Sequence, residues 1–533
     1  MKISDLSLRE KILQTMILKI DKDRFVSEKV GAAFFFGEII TDADEMGLDC
    51  ARRTLSQYID NADIPPLIVS DFENGCGSML KGLTPLPYLM SLGATNSEEI
   101  AYNYGKATAL EARSVGANWT FSPVCDLNIN RRNPLVNVRG MTDDPDLACR
   151  LLKQVIRGMQ ENGLAACAKH FPGDGIDWRD QHGTTTNNTL TMEDWRRLSG
   201  RVFQELIDDG VLSVMAGHIT LPAYQKERLP GNNMFPPATL SRELITDLLK
   251  NEMGFEGVVV TDALDMCGFM GYYDSLERGE IESFKAGFDM MLWPSANYIE
   301  NMTQAVENGY ISMERLDDAV SRILNMKEKM GLFEKDNYPQ KMTEEQQKFV
   351  AHVQTETADH SITLVRNDAG VFPLDKEKIK KIAVCPVTHW EPALEEAKLL
   401  CKELERRGFE VRYSNTPGTP GDVDLTIYAI FSRPFRPRGF MDFLGVEAAK
   451  VAYALFHSIP KVAIVSFGSP YFAEQFFEKA QTVVNAYTML SPSVEAFVRA
   501  ATGEIPFTDF SPVHLTTYEE EISPYAGWLP PRN

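Results

Sequence analysis

Three features of this chain point to an α/β fold class, a (β/α)8-like TIM barrel followed by a smaller α/β sandwich domain. Short apolar runs alternate with longer segments whose apolar residues recur at helical spacing. Polar residues gather at the carboxyl ends of those runs. The alternation also breaks once, at a charged, turn-rich stretch, and then resumes. Continuous apolar strands between helices belong to parallel sheets buried on both faces, and polar groups at the strand ends of a barrel converge on one mouth.

MKISDLSLREKILQTMILKI carries charges every few residues, lacks the unbroken apolar core of a signal peptide, and reads as an amphipathic helix. Strand-like runs come next: VGAAFFF from Val30, PLIVSD to Asp71, NWTFSPVCD to Asp126, LAACAKH to His170, VLSVMAGH to His218, GVVVTD to Asp262 and FDMMLWP to Pro294. Helical segments such as SEEIAYNYGKATALEARSVG and DLACRLLKQVIRGMQENG separate most of them. About seven such units fit a (β/α) barrel with one irregular or missing strand. A helix over EEQQKFVAHVQTETADHSITLV and the turn-rich RNDAGVFPLDKEKIKK lead into the second alternation, from KIAVCPV through DLTIYAIF, the helical GVEAAKVAYALFHSIP, KVAIVSFGS and TVVNAYTM to a helix from SPSVEAF. These readings divide the chain into a barrel domain over 1–340, a helical linker over 341–374, a sandwich domain over 375–512 and a tail over 513–533.

Composition narrows the function. A chain of 533 residues exceeds one hydrophobic core, and 44% hydrophobic content argues for folded domains. A net charge of −21 repels phosphate backbones and anionic lipid, so neither nucleic acid nor membrane is an expected partner. No apolar stretch approaches the ~20 residues that span a bilayer, and a cytoplasmic location is expected. Eight cysteines are scattered without metal-ligand or CxxC spacing. Cys125, Cys167 and Cys385 lie in strand-like runs, where a thiol behaves as a small hydrophobe. Reduced thiols and no cofactor are the expectation.

The densest chemistry lies in KHFPGDGIDWRDQH, Lys169 to His182, and in GFEGVVVTDALDM around Asp262. Asp71, Asp126, Lys169 with His170, His218 and Asp262 all fall at strand ends, which in a barrel share one face. Each also has a plainer reading. Asp262 could cap a helix, Asp180 and His182 could be a polar turn, His170 a satisfied core histidine, and Arg139 could pair with Asp143 or Asp144. Asp126 and His218 read as supporting groups. A metal-dependent hydrolase using His170, Asp174, Asp177, Asp180 and His182 is a further alternative, although the spacings match no standard motif.

KHFPGDG, GFEGVVVTDALDM with ATLSR upstream, DFENG after PLIVS, and VNVRGMTDDP together resemble glycoside hydrolase family 3, over both domains. Asp180-Gln181-His182 further resembles the Asp-x-His pair that NagZ-like β-N-acetylglucosaminidases carry after KHFPG, whereas the family's β-glucosidases usually take their acid/base from the second domain or a distant loop. The resemblance implies a retaining β-N-acetylhexosaminidase that releases terminal β-linked N-acetylglucosamine. Asp262 would be its nucleophile, His182 its acid/base, and Asp180 the group that orients the imidazole. Asp71, Arg139, Lys169 and His170 would bind sugar hydroxyls. The partner implied is a small-molecule glycoside or muropeptide-derived saccharide, as in peptidoglycan recycling. Such chemistry needs a carboxylate on one face of the sugar and a proton donor at the leaving oxygen, and an imidazole titrates near enough to neutrality to both donate and accept.

Three departures stand out. DFENGCG replaces the DQEGGRV of many relatives, so an expected arginine is absent and Cys76 cannot supply its charge. Asp174 stands where a second histidine is usual. The loop segment IDWRDQH is bulkier than usual, and its Trp178 either stacks on a sugar or covers the loop. Phosphorolysis, glucoside cleavage and silent sugar binding remain alternatives.

Overall fold

The structure is a computed structural model that describes residues 3–20, 30–37, 48–60, 64–229, 233–334, 341–414, 422–432, 434, 447, 449–450, 461–472 and 480–515. The expected helix over 445–460 and the tail beyond Leu515 lie almost wholly outside the described residues.

The barrel wall is built from β1 (Met16–Lys19), β2 (Ala32–Phe34), β3 (Leu67–Ser70), β4 (Trp119–Thr120), β5 (Cys167–Phe171), β7 (Ser213–Ala216), β9 (Val258–Thr261) and β10 (Met291–Leu292). The strands β10-β1-β2-β3-β4 pair side by side in that order, as do β5-β7-β9, all of them parallel. Bridges at Trp119–Ala165 and Val260–Met290 close the ring. Two short strands, β6 (Thr186–Asn187) and β8 (Ile219–Thr220), pair with each other beyond the carboxyl ends of β5 and β7. Runs such as LIVS and VVVT are buried at every position because the ring fills one face and the helices cover the other. Alternate residues of the strands, among them Ile17, Phe34, Val69, Trp119, Cys167, Met215 and Val260, fill the interior.

The first segment departs from expectation. Ser7 and Glu10 form a capping box for the helix Leu8–Gln14, which ends at Thr15. MILK then enters the wall as β1 between β2 and β10, so it is the eighth strand rather than the end of a long helix. Its apolar residues continue the helical spacing of Ile12 and Leu13. Only its strand neighbours distinguish the two states.

The second sheet runs β11-β16-β15-β14-β12-β13. These are β11 (Thr363–Asn367), β12 (Lys381–Val387), β13 (Glu410–Tyr413), β14 (Leu425–Phe431), β15 (Val462–Phe467) and β16 (Thr482–Asn485). All neighbours are parallel except β11, which is antiparallel to β16. The segment 341–374 therefore holds more than a linker helix. After the helix Glu344–Asp359 it supplies β11, and Ile362, Val371, Phe372 and Leu374 join the core of the second unit. The two units meet in a shared cluster, in which Met90, Ala94 and Val138 of the barrel pack with Tyr471, Tyr487 and Val513.

Candidate active site

Asp262 follows β9 directly. Its N–H donates to the Ala216 carbonyl at 3.0 Å, and its Oδ1 accepts from the Ala263 N–H at 2.8 Å. Burial pushes this carboxyl up. The imidazoles of His170, His218 and His182, with the Ala263 N–H, outweigh that and hold it below the usual carboxylate range. The side chain keeps partial solvent access, so an ionised carboxylate stands at the barrel mouth.

His182 and Asp180 lie on the loop that leaves β5. Asp180 Oδ1 accepts from the His182 backbone N–H at 2.9 Å and stands 2.7 Å from Nδ1. With Nδ1 occupied, Nε2 is the nitrogen left for proton transfer. The loop is tied on both sides. Asn133 Nδ2 donates to the Asp177 carbonyl at 2.8 Å, while the Asp177 carboxylate accepts from the Arg179 guanidinium and the Asn187 N–H. Cys267 N–H donates to the His182 carbonyl at 3.1 Å, which joins the loop to the one after β9. Trp178, on this loop, is 58% exposed.

On β5 itself, Lys169 Nζ lies 2.9 Å from Asp71 Oδ1 and 2.8 Å from Glu73 Oε1. Glu73 also takes a two-pronged contact from Arg139, Nε and Nη2 each at 2.7 Å. Burial lowers the proton affinity of Lys169, but Asp71 and Glu73 more than compensate and keep it charged. Neighbouring residues in a regular strand face opposite ways. The β5–β7 register shifts between Lys169 and Phe171, with Lys169 turned to Asp71 and Glu73 and His170 to Asp126.

His170 Nδ1 is 2.7 Å from Asp126 Oδ2, and Asp126 Oδ1 accepts from the N–H groups of His170 and Asp174. His218 uses both ring nitrogens internally. Nε2 donates to the Ala263 carbonyl at 3.0 Å and Nδ1 accepts from Thr239 Oγ1 at 2.9 Å, so the ring braces the backbone beside Asp262. Burial pushes its imidazole down, toward the neutral form that this pairing requires. Thr239 belongs to the ATLSR stretch.

The structure joins Asp71 to Lys169 and, through Glu73, Lys169 to Arg139, pairs Asp180 with His182, and sets His170 and His182 within electrostatic reach of Asp262. Glu73 was not singled out from sequence, although it stands two residues beyond Asp71, the spacing that keeps both on one side of an extended chain. Arg139 does not pair with Asp143 or Asp144. Asp144 caps the helix Pro145–Gln160, and Asp143 accepts from the His514 N–H at 2.7 Å. The alternative metal-ligand set is dispersed, with Asp177 held by Arg179, Asp174 by Asn133, Asp180 by His182 and His170 by Asp126. Cys76 is buried, and its Sγ reaches the Thr108 carbonyl at 3.3 Å rather than the polar cluster. Asp174 Oδ2 is buried without a partner. Burial and the Asp126 charge hold this carboxyl above its usual range.

The family described as Glycosyl hydrolase family 3 N terminal domain matches residues 7–326. A Cellulomonas fimi protein, beta-N-acetylglucosaminidase/beta-glucosidase, is 32% identical over 493 residues, 87% of this chain and 86% of its own. Among solved structures, the beta-glucoside phosphorylase BglX with 2FGlc bound superposes with a TM-score of 0.85 at 28% identity, over 96% of this chain and 95% of its own. A glycoside hydrolase family 3 beta-N-acetylglucosaminidase from Paenibacillus sp. str. FPU-7 superposes with a TM-score of 0.79 at 26% identity, over 96% of this chain and 99% of its own. With a family match across the barrel and a relative aligned along most of both chains, this chain is an enzyme of glycosyl hydrolase family 3.

Proposed function

We propose that the enzyme is a retaining β-N-acetylhexosaminidase that releases terminal β-linked N-acetylglucosamine. The observation that carries this reading is the Asp180–His182 pair at 2.7 Å on the loop after β5, at the mouth that also holds an ionised Asp262. The sugar sits between the Asp71–Glu73–Lys169–Arg139 cluster and His170, whose charged donors and acceptors orient its hydroxyls. One Asp262 carboxylate oxygen attacks the anomeric carbon as the glycosidic C–O bond breaks. His182 Nε2–H gives its proton to the departing oxygen, and the Asp180 carboxylate stabilises the imidazolium beforehand. Water then attacks the glycosyl-aspartate, passes a proton to His182 Nε2, and frees Asp262. The beta-N-acetylglucosaminidase names of two relatives support the substrate class. The NagZ-like loop supports muropeptide-derived saccharides as its natural source.

A second reading, phosphorolysis, is favoured by one feature. An imidazole in place of a carboxylic acid lets an anionic acceptor approach the glycosyl-enzyme with less repulsion, and one solved relative is a beta-glucoside phosphorylase. The test is release of 4-nitrophenol from the β-N-acetylglucosaminide and the β-glucoside, each with and without phosphate, with the sugar product identified. Preferential cleavage of the acetylated substrate to free sugar is expected. A sugar 1-phosphate would decide for phosphorolysis, glucoside cleavage alone would overturn the acetamido assignment, and full activity in Asp262→Ala would overturn the mechanism.

A further inference from the structure

We propose that the second domain takes part in sugar binding at a distance, with Ser469 as a positioning residue that holds the turn carrying Arg139. The proposal rests on the reading of Arg139 as a substrate-binding group. Arg139 ends a single 3-10 turn, Asn137–Arg139, in the segment between β4 and the helix Pro145–Gln160. Such a turn has little rigidity of its own. Asn137 stands at φ +36°, in the left-handed region that a side chain rarely occupies without support. Its Oδ1 accepts from the Val138 N–H at 3.0 Å, and its Nδ2 donates to Ser469 Oγ at 3.2 Å, across to the second domain. Both partners are buried, so loss of the serine hydroxyl would strand a polar group out of reach of water.

Ser469 is itself held on three sides. Its N–H donates to Ser432 Oγ at 3.0 Å and its carbonyl accepts from Ser466 Oγ at 2.7 Å. Gly468, at φ +150°, passes so close to Ser432 that an added Cβ would lie 2.1 Å from its carbonyl oxygen. Next to this contact, Val138 packs against Tyr471 and Tyr487. The Arg139 side chain is thus gripped by Glu73 and the Leu135 carbonyl from within the barrel, while its backbone is anchored from outside it. Moving the turn by a fraction of an ångström would move the guanidinium relative to Asp71 and Lys169 without touching Asp262 or His182. Binding would change before chemistry.

Ser469→Ala tests this with the full-length enzyme and a 4-nitrophenyl glycoside. KM should rise about tenfold with kcat within about twofold, the pattern of lost ground-state positioning. Thr488→Val is the control. It removes a different contact between the units, the hydroxyl that accepts from the Tyr88 N–H at 2.8 Å and meets Ser91 Oγ, and should leave KM unchanged. In an Arg139→Ala background, Ser469→Ala should add nothing to KM, because its effect passes through Arg139. If Ser469→Ala fails to fold, Asn137→Gly, which keeps the left-handed turn and deletes the amide, reads the same contact and should raise KM alike. An unchanged KM in the folded variant, an equal rise in Thr488→Val, or a further rise on top of Arg139→Ala would each overturn the proposal. A normal KM in Arg139→Ala itself would instead overturn the binding role of Arg139.

Discussion

Three imidazoles act on Asp262, and their partners divide the labour among them. His182 leans on a carboxylate that can stabilise a positive ring, His170 leans on the buried Asp126, and His218 has no ring nitrogen to spare. Asp180→Asn should therefore lower kcat about a hundredfold for a sugar leaving group and much less for 2,4-dinitrophenolate, which needs no proton. Equal losses with both would show that Asp180 does not act through proton transfer. Glu73 is the counter-ion of two buried cations. Its truncation to Ala should cost about 3–5 kcal/mol of stability and raise KM, readable by urea melts and steady-state kinetics. Asp262, Lys169 and His170 were legible because each ends an apolar run. Glu73 was not, because its significance lies in a guanidinium that arrives from 66 residues away.

At the scale of elements, the helices Glu98–Val115 and Pro145–Gln160 show how closely the outer layer is packed. A Cβ on Gly105 would lie 2.1 Å from the Val155 carbonyl oxygen, and one on Gly158 would lie 2.1 Å from that of Tyr102. Each glycine admits the backbone of the other helix. Gly105→Ala and Gly158→Ala should each destabilise by about 1–3 kcal/mol through overpacking. The double variant should lose less than the sum, since the first already parts the helices. Chemical denaturation of the four proteins checks this, and stability-neutral single variants would refute the close crossing. Both helices were legible from their periodicity, and their caps, Ser97 with Gly116 and Asp144 with Pro145, agree with it. MILK was misread because an apolar run that continues a helical pattern becomes a strand only when strands stand on either side of it.

At the scale of the whole molecule, a buried lysine ties an outer helix to the chain's first α-helix. Lys327, on the helix Met313–Lys329, is fully buried with Nζ 2.7 Å from Gln14 Oε1, while Ile323, Met326 and Leu332 of the same region enter the barrel's interior cluster. Burial lowers its pKa to about 7. Between that value and the ordinary lysine range the unfolded chain binds a proton that the native one does not, so stability rises with pH across this window. Below pH 7 the cost of burying the charge is felt in full. Lys327→Met should therefore be more stable relative to wild type at pH 6.5 than at pH 9.5, by a difference on the order of 3 kcal/mol. Thermal melts at the two pH values measure it, and a constant gap would mean that the amine stays charged in the fold.

The alternation of strand and helix, the sandwich that follows the barrel and the polar residues at the strand ends can be read along the chain, because periodicity and burial are local consequences of side-chain chemistry. The motif spacing also determined that Asp180 and His182 share one loop. The remaining features depend on how distant segments pack. That packing closed the barrel with β1, turned segment 341–374 into part of the second sheet, gave Arg139 to Glu73 rather than to Asp143 or Asp144, and set Ser469 against the Arg139 turn. The physical reason is the same each time. These pairings join residues far apart in the chain, and a hydrogen bond or ion pair between distant segments forms only after the chain entropy of closing the loop has been met by the packing around it.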